Sequence, residues 1–406
     1  MIPITKPYIS DQESQAVKEV LESGWLVQGE RVKEFERAVA SHEGVKFACA
    51  TTSCTTALQL AMLAEEMRTG MEVIIPSFTF VATANAVVST GATPVILDID
   101  NNTYNLSADG VEEYIEEHYQ EQAELLVNKT TGNSLWGMVV VHQFGLCADM
   151  ERFHAIARRY HLKVIEDAAC ALGSKIGNRH IGGFGNTACV SFHPRKSITT
   201  GEGGMVLTND AEIYERVVAM RNHGSQVNSD MRHKGNGTLL PSYPMHGYNF
   251  RMTDIQGAIG CEQMKKLDDI LGRREEIAAI YGQLLAGQED LIHTPYVPEG
   301  YFHSYQSYVC RLELGKDREE ACEKRNRIMD QLQQSGIQTR QGTHAVHKLD
   351  YYKKRFGYQA ESLKNANQCD STTIALPVYV TITREEQEYV TDRLIHLARK
   401  QADKRR

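Results

Sequence analysis

Short apolar runs alternate with longer amphipathic stretches over roughly the first half of the chain. Apolar runs bounded by turn residues predict buried strands, and apolar positions spaced at helical intervals predict helices between them. The predicted strands span residues 47–50, 72–75, 94–97, 138–141, 163–165, 188–191 and 204–207. The predicted helices span residues 56–66, 82–89, 150–160 and 211–221. This alternation indicates an α/β fold with a mostly parallel, doubly wound sheet of seven strands, in which ligands bind at the carboxyl ends of strands.

The pattern changes after residue 252, where helices and isolated strands replace the regular alternation. The later elements are predicted at 253–285 (helix), 307–314 (strand), 318–335 (helix), 373–376 (strand) and from 383 onward (helix). We therefore predict a large α/β domain over residues 1–252 and a smaller C-terminal α+β domain over residues 253–406. Within the first domain, residues 111–127 favour a helix and residues 128–134 a polar surface loop.

Composition narrows the class of protein. The chain has 406 residues and a net charge of −8, which gives no electrostatic reason to expect a nucleic-acid partner. No run approaches the roughly 20 apolar residues that span a bilayer, and the first residues lack a signal-peptide core, so we expect no membrane association. The nine cysteines show no paired spacing, and the histidines lack metal-ligand spacing. We therefore expect reduced thiols, a cytoplasmic location and no metal.

One lysine lies where a covalent cofactor could be held. Lys196 follows Ser191 by five residues and precedes the glycine-rich run that ends at Gly204, with strand patterns on both sides. A lysine at the end of a strand, with a hydroxyl nearby for a phosphate oxygen, is what an aldehyde cofactor needs to form a Schiff base. Taken alone, the same lysine could equally be an exposed residue in a hairpin.

Three other segments fit the same hypothesis. Asp167 ends an apolar strand and could pair with a pyridinium nitrogen, although an acid there could also cap a helix. The small hydroxyl residues 51–56 join a strand to a helix and could form a phosphate cradle or an ordinary helix cap. Residues 76–83 follow another strand and include the aromatics Phe78 and Phe80, one of which could lie on a flat ring or pack in the core.

Taken together, these segments resemble the sugar aminotransferases of the DegT/DnrJ/StrS type, which are fold-type I pyridoxal 5′-phosphate (PLP) enzymes of the aspartate aminotransferase superfamily. The resemblance runs nearly end to end. The motifs that carry it are Ser23-Gly24-Trp25, Thr55 with Ala57-Leu58, residues 76–83, Val141 to Gly145, Ile165 to Ala169, Ser191 to Pro194 with Lys196, Gly201 to Gly204, Gly247 to Gln256, and Leu376-Pro377.

The resemblance implies a role for each matched position. Lys196 would form the Schiff base with PLP, Asp167 would hold the pyridine nitrogen, and Phe80 would stack on the ring. The phosphate would be held by Cys54, Thr55 and Ser191. Asn249 would reach the cofactor phosphate of the neighbouring subunit, which implies a homodimer. Cys170 stands where many members place Gln or His to contact the ring hydroxyl, and a thiol is a weaker hydrogen-bonding partner.

The implied reaction moves an amino group from L-glutamate through pyridoxamine phosphate to a keto-sugar, most simply one linked to a nucleotide. Lys196 would act as a neutral base whose pKa is lowered by burial beside the cationic cofactor. Alternatives are a sugar dehydratase on the same scaffold or a regulatory protein that keeps only the fold. The 3-dehydratase branch has histidine in place of the lysine, and an iron–sulfur branch needs a cysteine cluster that the chain lacks.

The sugar pocket is the least determined part of the prediction. Candidate substrate contacts are Trp25, Arg251, Arg340, His344 and His347. Each has a structural alternative: a core residue for Trp25, an ion pair for Arg251, and solvated loop positions for the histidines. Residues 339–347 fall where the family's C-terminal domain overhangs the active site, which favours a substrate contact there.

Overall fold

Thirteen α-helices and seventeen strands make up the parts of the chain that the computed structural model describes, residues 1–225, 242–315, 317–359 and 361–402. The helices are α1 Asp11–Ser23, α2 Glu30–Glu43, α3 Cys54–Ala64, α4 Ala82–Ser89, α5 Ala108–His118, α6 Met150–Tyr160, α7 Ala211–Arg221, α8 Asp254–Met264, α9 Leu267–Leu285, α10 Arg318–Gln334, α11 Asp350–Phe356, α12 Lys364–Thr372 and α13 Arg384–Ala402. Two short 3₁₀ turns, Gln143–Gly145 and Val346–Lys348, complete the helical elements of these ranges.

The strands fall into one large sheet and several small ones. In chain order they are β1 Phe47–Thr51, β2 Glu72–Pro76, β3 Phe78–Thr79, β4 Thr93–Leu97, β5 Tyr119–Gln122, β6 Leu125–Asn128, β7 Leu135–Val141, β8 Lys163–Asp167, β9 Lys175–Ile176, β10 Arg179–His180, β11 Thr187–Ser191, β12 Gly204–Thr208, β13 Ile292–His293, β14 Tyr301–Phe302, β15 Tyr308–Leu312, β16 His344–Ala345 and β17 Thr373–Leu376. The large sheet has the order β1-β12-β11-β8-β7-β2-β4. Only β12 pairs antiparallel with its neighbours in this sheet, so the predicted seven-stranded, mostly parallel α/β architecture is confirmed.

The sheet is covered on both faces, which explains why its strands were recognisable as continuous apolar runs. All residues of β2 and β7 are buried. Successive side chains of a strand point to opposite faces, and in β2 Val73 and Ile75 belong to one hydrophobic cluster whereas Ile74 belongs to another. Helices pack against each face, and the carboxyl ends of β8, β11 and β2 lie at the same edge.

The segment after α5 differs from the prediction of a helix over residues 111–127. The helix ends at His118, and the chain then forms the β5–β6 hairpin, turning at Ala123 and Glu124 with positive φ angles of 48° and 67°. The physical reason lies in Glu72, which is 2% exposed at the start of β2. Its carboxylate accepts hydrogen bonds from this hairpin and the polar loop after it, and the donors are Tyr119, Asn128, Thr131 and Asn133. A continued helix could not bring these donors together.

The C-terminal half has its own hydrophobic cluster. The predicted helix over residues 253–285 is divided into α8 and α9 at Lys265 and Lys266, and α9 contributes to the cluster from Ile277 onward. It includes the sheet of order β13-β15-β17 and also Ile2, whose N–H donates to the Gly336 carbonyl at 2.7 Å. The division into domains at residues 252 and 253 stays a prediction. In the described ranges, no helix is long and apolar enough to cross a membrane.

A buried ion pair joins α7 to α2 and predicts a large effect on stability. Arg221 is 3% exposed and donates from Nη1 to Glu36 Oε1 at 2.6 Å and to the Ala50 carbonyl at 2.7 Å. Arg221→Ala leaves the Glu36 carboxylate buried without its cation, and we expect the free energy of unfolding to fall by about 3–5 kcal/mol. Denaturant unfolding of the variant measures this loss.

The same helix supplies the control for that experiment. Arg216 pairs with Glu66 and Glu212, both of which are well exposed, so Arg216→Ala should cost less than about 1 kcal/mol. Equal losses for Arg216→Ala and Arg221→Ala would contradict the assignment of Arg221 as a buried structural cation.

Candidate active site

Asp167 lies at the carboxyl end of β8 and is 4% exposed. Its Oδ2 accepts a hydrogen bond from the hydroxyl of Thr83 at 2.6 Å, and its Oδ1 accepts one from the N–H of Ala169 at 3.1 Å. Thr83 Oγ1 lies in turn 3.2 Å from Thr79 Oγ1. The sequence alone assigned no role to Thr83. Because α4 begins one turn after Thr79, the Thr83 hydroxyl lies at the end of β8, where it fixes the Asp167 carboxylate.

The start of α3 has the properties of an anion site. Ser53 caps the helix, and its side chain and backbone exchange hydrogen bonds with Thr56. The backbone N–H groups of Cys54 and Thr55 have no acceptor within the described part of the chain. Exposed N–H groups at a helix start, together with the helix dipole, favour a phosphate. The structure places Thr55 in the first turn of the helix, and the phosphate cradle stays a prediction.

Gly204 allows β12 to approach this helix start closely. A Cβ atom built on Gly204 would lie 2.3 Å from the backbone nitrogen of Cys54 and 2.3 Å from the carbonyl carbon of Ser53. No side chain fits in that space without moving the backbone. The glycine that ends the Gly201–Gly204 motif is thus needed for contact between β12 and α3.

Lys196 lies in the loop between β11 and β12, close to Cys170. The loop is closed by a hydrogen bond from the Phe192 N–H to the Gly203 carbonyl at 2.9 Å, and the Lys196 N–H donates to the His193 carbonyl at 2.8 Å. The Nζ atom of Lys196 donates to Cys170 Sγ at 3.2 Å. The contact of Cys170 within the site is therefore with the lysine itself.

The charge state of Lys196 reflects two opposing effects. Burial lowers its pKa, but Cys170, Cys54 and Asp167 favour the charged amine, and the net effect is a raised pKa. The sequence-based expectation was a lowered pKa beside a cationic cofactor. In the protein alone these partners outweigh burial, so the pKa of Lys196 is raised rather than lowered.

A segment of the C-terminal half holds the loops that carry Cys170 and Lys196. Ser304 Oγ donates to the Cys170 carbonyl at 3.2 Å, and Gln306 Nε2 donates to the carbonyl of Arg195 at 2.8 Å. Gly145 has a positive φ of 107°, and a Cβ on it would lie 2.3 Å from Ser304 Oγ. The sequence contains no motif that points to Ser304 or Gln306, because their partners are backbone carbonyls far away in the chain.

The other predicted cofactor residues lie on the elements expected for them. Ser191 ends β11, is 8% exposed, and accepts a hydrogen bond from the His193 N–H at 3.4 Å. Phe80 lies two residues before α4 and is 64% exposed, so it is not packed in the core. Asn249 is exposed, and its backbone pairs with Asn222 beyond the end of α7.

The first two candidate substrate residues lie beside structural partners. Trp25 is half-buried, and its indole Nε1 would lie 2.3 Å from a Cβ built on Gly29, so the indole occupies the space beside that glycine. Arg251 donates from Nη1 to Asn222 Oδ1 at 2.8 Å. This contact holds the arginine next to the Asn222–Asn249 pair.

The three candidate substrate residues of the C-terminal half differ in how far their side chains are exposed. His344 is exposed, and its strand β16 pairs with β3 so that His344 lies opposite Thr79, next to Phe80. Arg340 is also exposed, and its backbone pairs with Ala375. His347 is fully buried, and its Nδ1 lies 2.6 Å from Ser77 Oγ. Its contact with Ser77 joins the C-terminal half to the end of β2, and a substrate contact of this buried side chain stays a prediction.

The fold and this edge of the sheet together define a class of enzyme. A buried carboxylate, a lysine in a loop after a strand and an open helix start are groups of the kind that would hold the ring nitrogen, the aldehyde and the phosphate of PLP. The donor set of the site therefore fits this cofactor, and the class is that of fold-type I PLP-dependent transferases.

Comparison with known proteins confirms the family. The model of the DegT/DnrJ/EryC1/StrS aminotransferase family matches residues 7–395, and the chain belongs to this family. The spore coat polysaccharide biosynthesis protein SpsC of Bacillus subtilis is 35% identical over 392 residues, which are 96% of this chain and 95% of that protein. The GDP-perosamine synthase of Escherichia coli O157:H7 is 33% identical over 96% of this chain and 97% of that protein.

A solved aminotransferase structure has the same fold as this chain. The aminotransferase PseC of Helicobacter pylori, which takes part in the biosynthesis of pseudoaminic acid, superposes with a TM-score of 0.85 at 26% identity, over 98% of this chain and 99% of that one. The expected activity class, a PLP-dependent sugar aminotransferase, is confirmed.

The contact between Lys196 and Cys170 predicts a change in the pH dependence of cofactor capture. Only the neutral amine attacks an aldehyde, so the rate at which protein freed of cofactor takes up PLP should rise as Lys196 loses its proton. Cys170→Ala removes a partner that raises the lysine pKa, and the midpoint of this pH profile should therefore move to lower pH. Stopped-flow absorbance at a series of pH values measures it.

A second cysteine serves as the control. Cys322 is half-exposed on α10, and Cys322→Ala should leave the profile of PLP capture unchanged. An unshifted profile for Cys170→Ala would show that the thiol does not influence the proton affinity of Lys196.

Proposed function

We propose that this protein transfers an amino group from L-glutamate to the keto group of a nucleotide-linked sugar, and that it works as a homodimer in the cytoplasm. The observation that carries the proposal is an intact Lys196 that contacts Cys170 and interacts electrostatically with Asp167 and with Cys54 at the start of α3, in a member of a sugar aminotransferase family. A lysine in this position supports amination rather than dehydration, because the dehydratase branch of the scaffold replaces it.

Different residues of the chain bind different groups of the cofactor. PLP, when bound, supplies an aldehyde for the incoming amine and a ring that withdraws electrons from the reacting carbon. The N–H groups of Cys54 and Thr55 and the hydroxyl of Ser191 would hold the phosphate. Asp167, fixed by Thr83, would pair with the ring nitrogen.

Lys196 transfers the proton in both half-reactions. Its Nζ, once neutral, removes the proton from the Cα atom of L-glutamate and returns a proton to the sugar carbon in the reverse half-reaction. Cys170 lies 3.2 Å from the same nitrogen and orients the amine toward the site. Ser304 and Gln306 hydrogen-bond to the backbone carbonyls of Cys170 and Arg195. These bonds keep the distance between the Lys196 amine and the reacting carbon short.

Recognition of the sugar nucleotide rests on the residues around Phe80 and Asn222. Arg251 and Arg340 carry positive charge, and guanidinium groups suit the diphosphate of a nucleotide sugar. His344 lies opposite Thr79 at the edge of β3, where the C-terminal half approaches Phe80. The relative from Escherichia coli O157:H7 is named for a product carried on GDP, which supports a nucleotide-linked acceptor for this chain as well.

A partner subunit would complete each site. Asn249 is exposed in the single chain, and Phe80 presents 64% of its surface. We infer that Asn249 reaches the phosphate of the cofactor held by the neighbouring subunit. Each homodimer then has two sites, and each site uses residues of both chains.

The substrate class is tested with a panel of keto-sugar nucleotides carrying UDP, GDP, dTDP or CMP, each incubated with the protein, PLP and L-glutamate. We expect one of them to gain an amino group in place of the keto oxygen, seen as the corresponding mass shift, with formation of 2-oxoglutarate. Lys196→Ala should lower kcat about 10³-fold or more because it removes the proton-transferring amine. Lys46, exposed beyond α2, provides the control variant Lys46→Ala, which should retain full activity.

Two outcomes would contradict this function. A keto-sugar nucleotide that loses a hydroxyl without gaining nitrogen would identify a dehydratase. Bound PLP with no turnover of either L-glutamate or any sugar in the panel would favour a regulatory protein that keeps the fold.

The shared site is tested by mixing two inactive variants. A Lys196→Ala chain paired with an Asn249→Ala chain leaves one of the two sites of the mixed dimer with both native residues. Random reassociation of equal amounts should therefore restore about a quarter of the wild-type activity, whereas each variant alone stays low. Activity of the mixture equal to the average of the two separate variants would show that Asn249 acts within its own chain.

A further inference from the structure

Three side chains with metal-binding chemistry meet outside the candidate active site. His42 and Glu43 are the last two residues of α2, and His180 is the last residue of β10. One donor atom from each side chain lies within 4.8 Å of the donor atoms of the other two. The proposed function uses none of these residues.

Two of the donor atoms are buried and have no hydrogen-bond partner in the described part of the chain. The Glu43 side chain is fully buried, and its Oε1 accepts from the Gly173 N–H at 3.0 Å and contacts His42 Nδ1 at 2.8 Å. Its Oε2 has no donor, and neither does His180 Nδ1, which lies 3.6 Å away from it. Buried polar atoms are normally paired, so two buried atoms that lie 3.6 Å apart without a hydrogen bond leave room for a cation that both would contact.

His42 is held as metal-binding histidines usually are. Its Nε2 lies 3.1 Å from Oδ1 of Asp268, at the start of α9, and its Nδ1 faces Glu43. A carboxylate on the far nitrogen fixes the ring and leaves the near nitrogen for a metal.

We propose that His42 Nδ1, Glu43 Oε2 and His180 Nδ1 bind one divalent transition-metal ion, with Zn²⁺ as the best match. Two imidazole nitrogens and one carboxylate suit zinc, whereas calcium and magnesium prefer oxygen ligands alone. Ligand atoms about 2.0–2.1 Å from a tetrahedral zinc ion lie about 3.4 Å apart, close to the 3.6 Å between Glu43 Oε2 and His180 Nδ1. The site departs from the sequence-based expectation of no metal.

The ion has a structural role in this arrangement. It ties the end of α2 to the β9–β10 hairpin, and Glu43 Oε1 connects it to the Gly173 N–H in the turn that follows Cys170. The His180 side chain keeps 24% of its surface exposed, so the ion can enter from solvent and keep a water as its fourth ligand. Metal binding therefore stabilises the folded chain without taking part in amino transfer.

The test compares zinc binding by the PLP-loaded protein and its variants after treatment with a chelator. Equilibrium dialysis against Zn²⁺, with the metal measured by mass spectrometry, should show one more equivalent in the wild type than in His180→Ala or Glu43→Gln, or at least about tenfold weaker binding in those variants. Zinc should raise the melting temperature of the wild type and not of the variants. His396, exposed on α13, provides the control variant His396→Ala, which should behave like the wild type.

Equal zinc content in the wild type and in both variants would overturn the proposal, since any bound ion would then lie elsewhere. Glu43→Gln keeps the shape of the buried side chain, and His180 lies in a two-residue strand, so at least one variant should fold. Circular dichroism and retained PLP identify the folded variants before the comparison is made.

Discussion

A carboxylate kept in place at a buried strand end is the constraint on which the site depends. Asp167 is almost fully buried, and a buried charge is costly unless it is hydrogen-bonded and paired with opposite charge. The hydroxyl of Thr83 and the N–H of Ala169 satisfy its oxygens, and the charge of Asp167 in turn helps to keep Lys196 protonated. The position of α4 follows from this requirement, because α4 carries Thr83 to the carboxylate.

The two halves of the chain meet at this edge and hold its loops together. Ser304 and Gln306 donate to backbone carbonyls beside Cys170 and Lys196, and His347 hydrogen-bonds to Ser77 after β2. The proposed role of Lys196 in proton transfer needs this support, since small displacements of a reacting group are costly to the rate. The active site therefore belongs to the contact between the halves rather than to the large sheet alone.

Sequence patterns predicted the parts of this structure that depend on local periodicity. The strands of the large sheet are buried on both faces and form continuous apolar runs, and α4 was predicted with its observed bounds of Ala82–Ser89. The helix predicted over residues 111–127 was wrong beyond His118. The buried Glu72 carboxylate requires hydrogen-bond donors from the segment after His118, and nothing in the sequence of that segment indicates this requirement. Thr83, Ser304 and Gln306 were missed for a related reason: their contacts span long separations, and no local pattern marks them.

The central claim is that Lys196 is the residue that holds the cofactor covalently. Borohydride reduction of the PLP-loaded protein fixes the linkage, and digestion followed by mass spectrometry locates the modified lysine. The account predicts a pyridoxyl group on the peptide that contains Lys196 and on no other lysine of the chain. A pyridoxyl group on a different lysine, or unmodified Lys196 in protein that retains PLP, would contradict it.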